Sequence, residues 1–362
     1  MQLLFITALI LLLLALPLVL LRIISPGKTP AIRDTKGKLV SGSIAVIERV
    51  SIGGTEQDMI IRGHDANNPV LLYLHGGPGT PEFAFIRKEF AELEKHFTIC
   101  YWEQRGAGKS AKWKLPTEHV TLEQLVKDAG EVAVYLQKRF KTGRIYLLGH
   151  SWGTVLGAHT AKAFPELFAA YIGIGQVGDQ FEGEKLSLEF VRDQAKQLQH
   201  TSVHDKIEKL QLPERDAPAQ VWIHYLLAQR RWVAEFGGAL FRTNMNKTAP
   251  RQLITCAEYT LREKLNFVTA AKHSMAALWE KVITENLAET ITELRIPVYI
   301  IQGIHDYQTP TAEARKFYDQ LKAPHKAWYE FEDAAHFPHT ECYRQTETIL
   351  LNDVLKPNQH NN

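Results

Sequence analysis

The sequence predicts an α/β protein built on a mainly parallel sheet with flanking helices, a helical cap inserted between two of its strands, and an N-terminal transmembrane helix. Three observations carry this expectation. Strand-like and helix-like patterns alternate from about residue 43 onward, as they do where crossover helices join parallel strands. Within that alternation, residues 178–292 show helical periodicity and no convincing strand. The opening run "LLFITALILLLLALPLVLL" (3–21) holds no charge and is long enough to cross a hydrocarbon core of roughly 30 Å as one helix.

Taken in order, residues 1–24 form the expected anchor. A cleaved signal carries basic residues before its apolar core and a small-x-small site after it, whereas here only Met1 and Gln2 precede the run and "RIISPGK" follows it. The anchor is therefore expected to be retained. Arg22, Lys28, Arg33, Lys36 and Lys38 lie just after the span, so the positive-inside rule puts the body on the cytoplasmic side of a membrane. Residues 25–42, with Pro, Gly and Lys, read as a linker. The core is expected over 43–177 and 293–358, with the cap at 178–292. "SIAVIERVSI" and "QDMIIRG" are the first two strands, "PVLLYLHGG" and "FTICYWEQ" the next two, and "GRIYLLGHS" is a buried strand followed by the helix "WGTVLGAHTAKAFPELF". "AAYIGIG", "IPVYIIQG" and "KAWYEFE" complete the set, and a helix from about 339 to 355 closes the chain.

Composition narrows the function classes. The 362 residues are 45% hydrophobic and 23% charged, with 42 Lys+Arg against 40 Asp+Glu, so the net charge of +2 gives no reason to expect a nucleic-acid partner. Three cysteines, Cys100, Cys256 and Cys342, cannot all pair, and free thiols are the simpler reading.

The chemistry is concentrated in four short stretches. "GHSWG" (149–153) is a G-x-S-x-G between a strand and a helix, where a sharp turn holds the Ser151 hydroxyl out above the sheet edge. A helix N-terminus merely capped by Ser151 fits the same letters. "HGGPG" (75–79) follows a strand and offers adjacent glycine amides that can face a developing oxyanion, partnered by the amide of Trp152. "IPVYIIQGIHD" puts Asp306 in a loop after a buried strand, and "FEDAAHFPH" puts His336 in the loop after the last one, with His305, His325 and His339 as competitors. No H-e-x-x-H or paired C-x-x-C suggests a metal, no organic cofactor is implied, and "GAGKS" lacks the first glycine of a phosphate-binding loop because Glu103 stands there.

Serine, acid and histidine, in that order and each after a strand, match the order of an α/β-hydrolase. From about residue 70 to 350 the chain resembles that superfamily. The set "HGGPG", "EQRGAGKS", "GHSWG", "GIHDYQTP" and "DAAHF" is similar to the proline iminopeptidase family of serine peptidases. The resemblance implies Ser151 as nucleophile, Asp306 and His336 as its partners, and Gly77 with Trp152 as oxyanion donors, Gly76 being the alternative. It also implies an acyl-enzyme route for an aminopeptidase releasing an N-terminal residue from small peptides. A carboxylesterase acting on small apolar esters is the alternative. Two departures stand out: Glu103 replaces the family's usual Asp, and the helix "VWIHYLLAQRRWVAEFGG" offers Trp222, Trp232 and Glu235 without the usual close Trp-Glu pair. Glu235, Glu258 and Glu182 are the cap residues expected to meet a substrate amine.

Overall fold

The computed structural model describes residue 5 and residues 19–111, 117–197, 201–243 and 245–358. Its centre is an eight-stranded sheet in the order β1-β2-β4-β3-β5-β6-β7-β8. β1 (Ile44–Ile52) and β2 (Thr55–Gly63) form a hairpin whose two-residue turn is Gly53-Gly54, both at positive φ (55° and 75°). That is the turn geometry whose twist suits a tight hairpin and whose backbone suits glycine. β2 runs antiparallel to β4 (Thr98–Trp102). From β4 through β3 (Val70–Leu74), β5 (Ile145–His150), β6 (Phe168–Ile174), β7 (Val298–Gly303) and β8 (Lys326–Phe331) all neighbours are parallel. Strands β3 to β7 are buried at every position. This explains why they read as continuous apolar runs: a parallel sheet is covered on both faces.

The two faces are separate cores. Leu72 and Leu74 of β3 face the cluster that contains Leu147 and Ile300, while Leu71 and Tyr73 face the one that contains Leu148 and Ile301, the period of two that a strand requires. Helix α1 (Phe83–Phe90) covers the second face with Phe83, Ile86 and Phe90. Helices α2 (Leu122–Phe140) and α3 (Trp152–Ala163) cover the first. Thr121 caps α2 by accepting the Gln124 amide at 3.2 Å.

Between β6 and β7 lie α4 (Gln180–Gln197), α5 (Thr201–Glu208), α6 (Ala219–Glu235), α7 (Met245–Thr255) and α8 (Leu261–Thr284). They form a cap over the ends of the parallel strands from which the functional loops emerge. Trp222, Leu226, Leu278 and Trp279 are continuous with the first core cluster. Polar contacts fasten the cap at two places. At one, Tyr307 and His336 donate their amides to the carbonyls of Gly238 (3.0 Å) and Ala239 (3.1 Å). At the other, Lys109 reaches Glu263 (2.8 Å) and the Glu258 carbonyl (2.9 Å), and Ser274 donates to the Gly106 carbonyl (3.0 Å). Helix α9 (Thr311–Gln320) joins β7 to β8, and α10 (Tyr343–Ile349) begins the closing helix.

The N-terminal expectation needs correction. Among the described residues no helix is long and apolar enough to cross a membrane. Residues 19–23 are helical. The transmembrane anchor, the membrane partnership and the cytoplasmic placement drawn from it are set aside. Residues 3–4 and 6–18 of the apolar run lie outside the described residues. The segment that follows is docked on the body: Ser25 is buried, Pro26 bridges to Thr260, and the Lys28 amide donates to the Ala257 carbonyl at 3.1 Å. Thr29 in turn donates to Glu258 at 2.9 Å and accepts from Arg62 at 2.6 Å.

Candidate active site

Ser151 sits between β5 and α3 at φ 55°, ψ −123°, a backbone region that costs a non-glycine residue of the order of 1–3 kcal/mol and persists only where its surroundings enforce it. The enforcement is visible. The Ser151 amide donates to the Ile174 carbonyl at 3.0 Å, and its own carbonyl accepts from the Thr154 amide at 2.8 Å and the Thr154 hydroxyl at 2.6 Å. The flanking glycines are there for close approach: a Cβ on Gly149 would lie 2.2 Å from the Gly153 carbonyl oxygen, and one on Gly153 would lie 2.1 Å from that of Leu74.

The glycine loop after β3 passes directly over this turn. A Cβ on Gly76 would stand 3.1 Å from the Cβ of Ser151. Gly77, at φ 116°, is in a conformation that suits glycine alone, and its peptide to Pro78 is cis. Trp152 opens α3, where an amide has no partner within the helix. A network that the sequence reading did not anticipate ties the two turns together. The amide of Gln104 donates to Nε2 of His75 (3.2 Å), the Gln104 side chain donates to the His75 carbonyl (3.0 Å), and the Trp152 indole donates to Oε1 of Gln104 (3.1 Å). Burial holds His75 down to about 4, so its ring is neutral and free to accept. The signal was present in "EQRGAGKS", but a glutamine's partners are long-range and leave no periodicity.

His336 and Asp306 meet at 2.8 Å, Nδ1 to Oδ2. Asp306 is fixed from several sides: its Oδ1 accepts the amides of Gln308 (2.8 Å) and Thr309 (2.9 Å), and its Oδ2 accepts from the Thr309 hydroxyl (2.8 Å) and the Gln302 amide group (3.1 Å). Burial lowers the proton affinity of His336, and the Asp306 carboxylate offsets this only in part, leaving the ring below its ordinary value. The competing histidines are elsewhere: His305 stacks on Phe241, His325 leans on Tyr299, and His339 packs its edge against His150. Ser151, His336, Gly77 and Trp152 all line one cavity of about 230 Å³. A larger cleft of about 1410 Å³, lined by Lys109, Asp58 and Glu263 among others, contains none of these groups.

The expected amine-binding glutamates are not brought to that cavity. Glu182 pairs with Lys185 at the surface (2.8 Å), Glu235 is exposed, and Glu258 is buried against Thr29, Arg87 and Cys256. The cap instead contributes Leu226, Met275, Trp279 and Val282, with Gln180 and Arg230. Arg230 is paired with the buried Glu184. Among the described residues that line the cavity, Glu82 is the one carboxylate, and His150 (2.7 Å) and Tyr73 (2.6 Å) already hold it. Glu103 is fully buried, accepts from Tyr259 of the cap and from the Lys109 amide (2.8 Å), and is pushed up to about 7 by burial.

Comparison with known proteins places the chain in a family. A family model described as "alpha/beta hydrolase fold" matches residues 69–341. The probable aminopeptidase YbaC of Bacillus subtilis (strain 168) is 33% identical over 302 residues, covering 83% of this chain and 93% of its own length. A proline iminopeptidase of Lactobacillus crispatus (strain ST1) is 35% identical over 107 residues, 28% of this chain and 34% of that protein. The solved structure of the proline iminopeptidase from Mycobacterium smegmatis aligns with a TM-score of 0.62 at 16% identity over 87% of this chain and all of that one, a likeness of fold.

Proposed function

The chain belongs to the α/β-hydrolase family and is a hydrolase of the proline iminopeptidase type, and from that premise we propose that it is a serine aminopeptidase that releases an N-terminal residue of the proline type from short peptides. One observation carries the reading: Ser151 on its strained turn, His336, whose ring Asp306 holds at 2.8 Å, Gly77 and Trp152 line one cavity, Asp306 standing behind the ring. Ser151 Oγ attacks the scissile carbonyl while Nε2 of His336 takes its proton. Asp306 holds Nδ1–H and stabilises the imidazolium, and the two amides bind the oxyanion. The imidazolium then gives its proton to the leaving amine. Water, deprotonated by the same ring, releases the acyl group from Ser151.

A second reading has a specific observation behind it. The cap wall of the cavity is apolar at Leu226, Met275, Trp279 and Val282, and the lining carboxylate is engaged by His150 and Tyr73. That is the lining of a site for apolar esters rather than one that recognises a free amine. Turnover of proline 4-nitroanilide, its N-acetylated form and 4-nitrophenyl acetate by the full chain, beside Ser151→Ala, separates the two. Cleavage of the free-amine anilide, loss of cleavage on acetylation and silence of the variant are expected. Serine-dependent ester cleavage with no anilide turnover would replace the aminopeptidase by an esterase.

A further inference from the structure

The residue before the nucleophile, His150, has no part in the mechanism above, yet it is fully buried and uses both ring nitrogens. Nε2 lies 2.8 Å from the main-chain oxygen of His336. A carbonyl can only accept, so this nitrogen carries a proton. Nδ1 lies 2.7 Å from Oε1 of Glu82. The other carboxylate oxygen accepts from the Tyr73 hydroxyl at 2.6 Å. One further proton therefore sits between Glu82 and His150, and it belongs to the pair rather than to either residue.

The three partners stand on the three loops that the reaction needs in register. Glu82 closes the glycine loop, where a Cβ on Gly76 would be 2.7 Å from its Oε1. His150 is bonded covalently to Ser151. The His336 carbonyl belongs to the histidine loop. We propose that Glu82 and His150 act as positioning residues, a clamp whose shared proton holds the oxyanion loop, the nucleophile turn and the His336 loop in one arrangement.

The surroundings of His150 are consistent with a ring that keeps its second proton. Phe337 and His339 pack on it with centroids 4.6 and 4.5 Å away, and His336 lies at 4.8 Å. Among the described residues buried His339 has no hydrogen-bond partner for either ring nitrogen, and its proton affinity is held low by burial and by the two neighbouring histidines, so it stays neutral. The charged groups that face the ring are Glu82 and, behind His336, Asp306, both negative. Burial opposes protonation of His150, and the Glu82 carboxylate, with the His336 carbonyl and Asp306, together more than offset it.

The clamp rests on the roles given above to Ser151 and His336, and its test separates the two. The full chain, Glu82→Gln and Glu82→Leu are compared for kcat and KM on proline 4-nitroanilide from about pH 6 to about pH 10, beside Ser151→Ala. In Glu82→Gln the amide donates to a neutral His150 and accepts from Tyr73, so every bond survives without a titrating proton. That variant is expected to keep kcat within about threefold near neutrality and to lose the part of the wild type's alkaline decline that exceeds the titration of the substrate's own amine, which is common to both. Glu82→Leu breaks the clamp and is expected to lose kcat by about 10²-fold, with KM within about threefold. An alkaline limb unchanged by Glu82→Gln, or wild-type kcat in Glu82→Leu, overturns the clamp. Should the leucine variant not fold, the limb of the glutamine variant decides alone. Turnover by Ser151→Ala would instead overturn the nucleophile assignment.

Discussion

At the scale of single residues, the site is built by side chains that are missing as much as by those present. Gly175, at φ 56°, is the example away from the elbow: a Cβ there would lie 3.2 Å from both Nδ1 and Cε1 of His336. Gly175→Ala is expected to push the imidazole off its line to Asp306 and to lower kcat by about 10-fold or more while KM holds, and alanine at a left-handed φ adds about 1–2 kcal/mol of instability. Unchanged kcat in a folded variant would mean that the ring has room to spare. The loops that carry Ser151, Asp306 and His336 were legible because each follows a strand and each holds a distinctive residue type. Gln104 and His150 were not, because their partners lie 29 to 186 residues away. The cap glutamates misled for the same reason: whether Glu258 meets a substrate or Thr29 and Arg87 is decided by packing, of which the surrounding letters carry no trace.

At the scale of elements, the strands were readable from their continuous apolar runs, and the cap from its helical period, since both signals are local. Less readable was how firmly the cap is held. Its longest helix, α8, begins with a capping box in which Thr260 accepts the Glu263 amide at 3.3 Å and Glu263 accepts the Thr260 amide at 2.8 Å. The same Glu263 receives Lys109 from the core, so one carboxylate starts the helix and fastens it. Thr260→Ala is expected to cost about 1 kcal/mol in chemical denaturation, and Thr260→Ser to recover most of it. Equal losses in both variants would shift the weight from the hydroxyl to the methyl that Gly27 approaches. The docking of residues 25–33 was not legible either, because Pro, Gly and Lys mark a linker equally well when they lie against a surface.

At the scale of the whole molecule, two buried groups tilt stability with pH in opposite senses. Glu103 holds its proton up to about pH 7 in the folded chain against an ordinary value of 4.5, so between those values the folded state binds more protons and stability falls as pH rises, by about 3 kcal/mol in all. His75 titrates near 4 instead of 6.5, so stability rises with pH over that lower interval. The two oppose one another from 4.5 to 6.5. Removing the first by Glu103→Gln should leave the second, so the stability of the wild type minus that of the variant is expected to fall by about 3 kcal/mol from pH 4.5 to pH 7.5 in urea titrations. Parallel curves would show that Glu103 ionises normally.

The double fastening of the cap also bears on traffic. A cover bonded through Gly238 and Ala239 at one place and through Lys109, Glu263 and Ser274 at the other cannot swing away as one body without breaking both sets of contacts. Entry is then left to side-chain movement around a chamber of about 230 Å³, below the roughly 300–1,000 Å³ of common ligand pockets. Under the proposed aminopeptidase reading, such a doorway would admit the loose tip of a polypeptide and turn back a loop of folded protein. In that reading the enzyme would be a trimmer of ends, harmless to the intact proteins around it.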